Sequence, residues 1–197
     1  MLISCNLLLT KFIMMKIVKI LLFIIVAIIA IFTAVYAYYG GFTKIAFEQA
    51  ELGGETIVWE EMIGDYKDSP IVMDKVYNSL LSDFNISTTR GFGIYYDNPQ
   101  MVDPNKCRSD LGCIVDNIDS TTLSAIEAKF KVKKLEYHKC VVAVFPYKGQ
   151  MSVVVGLTKV YPALNEYIKN NNIANGPVME IYDIANKTIT YRMMIGE

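Results

Sequence analysis

The chain has 197 residues, 53% of them hydrophobic, and a mean hydropathy of +0.30, which suits one compact domain plus an apolar segment. Its 19 basic and 20 acidic residues nearly balance, and the composition excludes disordered, collagen-like and disulfide-framework classes. A multi-span transporter is excluded too, because the apolar excess sits in one stretch.

That stretch is Ile20–Tyr39, twenty residues without a charge, twelve of them Ile, Leu, Val or Phe. As a helix it spans roughly 30 Å, the thickness of a bilayer's hydrocarbon core. Tyr36, Tyr38, Tyr39 and Phe42 place aromatic rings at one interface, and Gly40-Gly41 ends the helix. A cleaved signal peptide is the competing reading, with Val35-Tyr36-Ala37 as its cleavage motif, but such apolar regions run only about 7–15 residues. Lys11, Lys16 and Lys19 precede the span and only Lys44 follows closely, so residues 1–19 are expected in the cytoplasm and the domain, 40–197, on the far side. Met14 and Met15 offer later starts. The lipid bilayer is thus the first expected partner. Without those three lysines the domain keeps 16 bases against 20 acids and lacks the basic footprint of a nucleic-acid binder.

Along the domain, Thr56–Glu61 reads as a strand. Ser69-Pro70 opens a helix with Val72, Met73, Val76, Tyr77, Leu80, Leu81 and Phe84 at helical spacing. Gly91–Asp97 and Cys113–Val115 are the next strands. A strand over Cys140–Phe145, a helix from about Ser152 to Asn170 in which Pro162 should mark a kink or a late start, and strands Pro177–Asp183 and Thr188–Met193 follow. Lys75-Val76-Tyr77 leading to Tyr96-Asp97 matches Lys159-Val160-Tyr161 leading to Tyr182-Asp183, which reads as an internal duplication. A β-α-β-β module used twice predicts an α+β domain, an antiparallel sheet with helices on one face, and a ligand on the other face or at the seam.

Gly64-Asp65-Tyr66, Gly91-Phe-Gly-Ile-Tyr-Tyr-Asp97, Phe145-Pro-Tyr-Lys-Gly149 and Pro177-Val-Met-Glu-Ile-Tyr-Asp183 together resemble the GyrI-like effector-binding family over about residues 45–195. The resemblance implies a cleft for small aromatic or cationic molecules, with the glutamate of the last motif inside it. It extends, through the Tyr-Tyr-Gly-Gly junction, to a membrane-anchored branch that includes a receptor for selective autophagy of the endoplasmic reticulum.

Glu180 is the leading site candidate. Strand alternation sets it beside Tyr182 and Val178, and Met179 and Ile181 are expected to pack on the helices, leaving Glu180 in an open cleft. The repeat match puts Ile94 and Tyr96 at equivalent places, and Trp59, Tyr66 and Tyr147 are the expected aromatic neighbours. A carboxylate among rings suits a lipophilic cation. Cys107, Cys113, His138 and Cys140 lack the spacing of a structural zinc site, and no cofactor is expected. Cys107 and Cys113 are a disulfide candidate if the domain faces an oxidising compartment, whereas buried free thiols are the expected state of Cys113 and Cys140. One histidine and no Gly-x-Ser-x-Gly elbow argue against nucleophilic catalysis.

Three functions stay in view. The first is a single-pass, membrane-anchored small-molecule-binding protein. The second is a hydrolase of reactive cyclopropane-type compounds with Glu180 as base, which the resemblance also implies. The third is a membrane adaptor for a protein partner; the autophagy receptor's long tail with its short motif is not expected after the last strand here. Membrane anchorage, with no helix-turn-helix, argues against a transcription regulator.

Overall fold

The computed structural model describes residues 2–195. Helix α1, Leu2–Tyr38, is continuous, since neither Pro nor Gly interrupts it. Its apolar part, Met14–Tyr38, is 25 residues, and an 18-residue stretch within it has a mean hydropathy of 3.0 with none of it buried, so it is long and apolar enough to cross a membrane. Helix α1 runs through residues 2–19 into this stretch without a break. At its end Gly40 takes φ +93 and lies against the Phe145 ring, where a Cβ would collide.

The domain follows as β1 Glu48–Leu52, β2 Thr56–Ile63, α2 Ser69–Phe84, β3 Arg90–Tyr95, β4 Arg108–Val115, α3 Ser120–Glu127, β5 Lys131–Lys134, β6 His138–Pro146, α4 Gln150–Asn170, β7 Val178–Asp183 and β8 Thr188–Met194. Strands β1 and β5 and helix α3 carry no strong periodicity and were not expected, while Pro162 sits inside α4 without ending it. All eight strands pair antiparallel in the order β1-β6-β8-β7-β3-β4-β2-β5. Read from either edge the order is the same: β2, β4 and β3 of one half meet β7, β8 and β6 of the other at the β3–β7 pair.

Chain connectivity forces the sheet to curl. In a flat sheet of this order β1 and β2 would stand six spacings apart, about 29 Å. Only residues 53–55 join them, a reach of about 14 Å. The edges therefore meet. The register Glu48↔Val142 to Leu52↔His138 continues as Thr56↔Lys134 to Trp59↔Lys131 without gain or loss of a residue, and Gly54 N–H donating to Leu135 O and Leu135 N–H to Glu55 O (both 2.8 Å) bridge the gap. β1–β2 and β5–β6 are thus two long bent strands paired with each other, and the sheet closes into a barrel. Closure leaves no long edge open to edge-to-edge pairing.

Both faces of the barrel consequently carry a buried core, while inner-face Val144 and Tyr96 stay about half exposed. Residues directly opposite on neighbouring strands share a face. Ile57, Phe92, Ile94, Ile114, Met179 and Ile181 point inward with Trp59 and Leu135 and form the interior core. Inside too, Arg192 Nη1 donates to Glu55 Oε1 at 2.6 Å, tying β8 to the β1–β2 bend. Outside, α2 and α3 cover Val58, Cys113 and Val115, and α4 covers Ala143, Phe145, Ile189, Tyr191 and Met193. Helices do pack on one face, as expected, but the faces are exchanged: Met179 and Ile181 fill the barrel, whereas Val178, Glu180 and Tyr182 lie under the helices.

Cys107 and Cys113 are free buried thiols, not a disulfide. Six steps along one extended strand separate them by about 20 Å, far beyond disulfide reach. Burial pushes the Cys113 thiol up to about 12. Cys140 is likewise a free buried thiol.

Strand β4 runs so close to β2 that a Cβ at Gly112 would overlap the Val58 carbonyl oxygen and press on the Trp59 backbone. Backbone cannot swing away as a side chain can. Gly112→Ala is expected to cost on the order of 1–3 kcal/mol, read as a lower denaturation midpoint with an unchanged slope.

Candidate functional site

Glu180 stands mid-strand on β7, where its neighbours across the ladder are Gly93 of β3 and Tyr191 of β8. The β3–β7 pair is the seam between the two halves. On this face Gly91 and Gly93 carry no side chain, which keeps the floor of the seam low between α2 on one side and α4 on the other. The Tyr95 ring folds back over Gly93, close enough that an added Cβ would lie 2.8 Å from its Cζ and Oη.

The carboxylate is not open to solvent. Glu180 is 1% exposed. The Tyr161 hydroxyl, from α4, donates to Oε1 at 2.6 Å, and the Tyr182 hydroxyl donates to Oε2 at 2.5 Å. The rings of Tyr161 and Tyr191 meet edge to face at 6.0 Å, and those of Tyr95 and Tyr66 at 4.8 Å. The Tyr191 hydroxyl is buried without a partner, against Gly156 of α4, where a Cβ would strike it. Glu180 is thus the centre of a cluster of tyrosines from β3, α4, β7 and β8.

Among the described residues no Lys, Arg or His pairs with Glu180. Burial raises its pKa above the ordinary carboxylate value, and the two tyrosine hydrogen bonds oppose that rise only in part. Burial first, then the Glu180 charge, pushes Tyr161, Tyr182, Tyr95 and Tyr191 upward, so these phenols stay neutral donors. A buried anion with hydrogen-bond donors but no counter-charge is a costly arrangement that a cation would relieve.

The remaining candidates divide by face. Tyr66 stands one ring from the cluster, fixed by its hydroxyl donating to Arg108 O at 2.9 Å. Tyr147 packs on the same α4 core that holds Tyr182 and Tyr191. Trp59 is in the barrel core, with its Nε1 buried and unpartnered, and borders an open depression of about 470 Å³ shared with Glu60, Glu61, Glu127 and Lys131. That depression does not reach Glu180. Tyr96 also leaves the site: its hydroxyl donates to Asp110 on the barrel's inner face at 2.7 Å, and Arg108 stands over its ring. The repeat match aligned Tyr96 with Tyr182, but the ladder sets Gly93 opposite Glu180 and Tyr95 opposite Val178, and a shift of one residue turns every side chain to the other face. The structure brings Tyr95, Tyr161 and Tyr191, none of them among the sequence candidates, to the cluster. Strand register would have found Tyr95; Tyr161 hid among the helix's core positions.

His138, Cys140, Cys107 and Cys113 form no ligand set: among the described residues no three His, Cys, Asp or Glu side chains converge as a metal site.

A family model for the GyrI-like small molecule binding domain matches residues 54–195. Testis-expressed protein 264 of Homo sapiens is 36% identical over 99 residues, covering 47% of this chain and 32% of that protein; its Mus musculus homolog is 35% identical over the same length. The matched stretch thus spans about a third of these curated relatives. Among solved structures, EcmrR in its DNA complex superposes with a TM-score of 0.57 at 9% identity, covering 78% of this chain and 58% of that one. SAV2435 bound to tetraphenylphosphonium gives 0.51 at 14%, covering 77% and 94%. Likeness at such identities shows the fold.

Proposed function

The chain belongs to the GyrI-like small-molecule-binding family, and we propose that it is a single-pass, membrane-anchored binding protein whose ligand is a lipophilic aromatic cation held at Glu180. The observation that carries this reading is the buried carboxylate clasped by Tyr161 and Tyr182 with no basic partner among the described residues. A cation at the seam supplies the missing charge, and the surrounding rings supply cation–π and apolar contact. The tyrosines fill the seam as it stands, so the ligand displaces rings, Tyr95 first, because it rests on a glycine floor. The tetraphenylphosphonium bound by SAV2435, a protein of the same fold, is a molecule of this class.

In this reading α1 anchors the domain in the bilayer, with the lysines before the span in the cytoplasm and the domain on the far side. The matched order of strands in the two halves is what a single β-α-β-β unit used twice would give.

The test is calorimetric titration of the full chain in detergent micelles with tetraphenylphosphonium, empty micelles serving as the blank. Trp59 lies in the barrel, away from Glu180, so heat rather than Trp emission is the readout. One-to-one saturation is expected, with affinity rising up to about tenfold per pH unit above the ordinary carboxylate value and levelling above the raised one, because binding displaces one proton. Heats no different from empty micelles would overturn the reading.

A further inference from the structure

The residues after α1 run along α4 from its beginning toward its end. Lys148, just before α4, holds its Nζ 4.7 Å from the Tyr38 ring. Gly40 lies on Phe145 and Pro146, Lys159 donates to the carbonyls of Gly41 and Thr43, and Phe47 stacks on Tyr167 at 5.1 Å. The first half of α4 is therefore the half beside the end of the apolar helix. The solvent side of α4 changes character along the same direction. Met151, Val154 and Leu157 are 40% or more exposed in the first half, whereas the exposed positions of the second half include Asn165, Glu166, Lys169 and Asn170. Phe42 is exposed on the connecting segment, and Ile184 and Lys187 stand on the β7–β8 turn that is bonded to Tyr147.

We propose that the first half of α4, with Phe42 and Ile184, rests on the lipid surface through which α1 passes. The inference depends on the membrane-anchor reading of α1. Apolar side chains at this end reach the acyl boundary, and Lys148 and Lys187 stand at headgroup height. Tyr161, which bonds Glu180, lies one helical turn beyond Leu157, so the helix that covers the carboxylate is also the helix that touches lipid.

The full chain in vesicles of phosphatidylcholine and phosphatidylglycerol, with and without brominated acyl chains, tests this. Single added tryptophans report position: Phe32→Trp in α1, Val154→Trp in the first half of α4, and Asn165→Trp in the second. All three sites are exposed, so folding is not at stake, and Trp59 gives a constant background from the barrel. Phe32→Trp and Val154→Trp are each expected to lose at least half of the added emission in brominated vesicles, and Asn165→Trp to keep it. Retention at 154 with loss at 32 overturns the α4 contact and leaves the anchor standing. Retention at 32 removes the anchor and the contact with it. Equal loss at 154 and 165 also overturns it, since no defined face then meets the lipid.

Discussion

Glu180→Gln is expected to weaken tetraphenylphosphonium binding about 10- to 100-fold, the range for losing a charged hydrogen-bonding partner in a buried site. Glutamine keeps the shape and one acceptor for a tyrosine hydroxyl, so the loss reports the charge. The pH dependence of the remaining affinity should vanish with it. Stability of the ligand-free protein gives a second readout of opposite sign. A carboxyl whose pKa is raised by folding binds its proton more tightly in the folded state, so that stabilisation is present below the ordinary carboxylate value and is lost as pH rises through the raised one. The wild-type protein should therefore become less stable across that window, while Glu180→Gln should show no such slope and melt higher than wild type at neutral pH. Binding unchanged in Glu180→Gln would place the cation elsewhere.

Phe92→Ala should give the largest loss of stability, about 3–5 kcal/mol. Phe92 is fully buried in the barrel interior, bounded by Ile57, Ile94, Ile114, Met179 and Ile181. No helix packs on that side, so nothing can move in to fill the void, and the closed ladder restrains the strands from collapsing. Val144→Ala, at a half-exposed position of β6, should cost well under 1 kcal/mol. Equal denaturation midpoints for the two variants would contradict a closed interior. Ligand affinity should change little in Phe92→Ala, because the ring points away from Glu180.

Elements with strong local signals were legible in the sequence. The apolar run announced α1, Ser69-Pro70 and the following spacing announced α2, and alternation announced β2, β3, β7 and β8. Glu180 with Tyr182 was legible because alternation fixes which residues of one strand share a face. β1, β5 and α3 were not, since each is short and owes its place to a partner remote in sequence.

Two things were decided only in three dimensions. Which face of β7 meets the helices depends on barrel closure, which turns the Met179–Ile181 face inward and puts Glu180 under α4. Which tyrosines surround the carboxylate depends on register: a one-residue step separates Tyr95, at the site, from Tyr96, on the other side of the sheet. Alternation along a strand is a local property of the chain and can be read from it. The pairing of one strand with another, and the side from which a helix approaches, are set by contacts between residues far apart in sequence, and the pattern within a single strand is compatible with either choice.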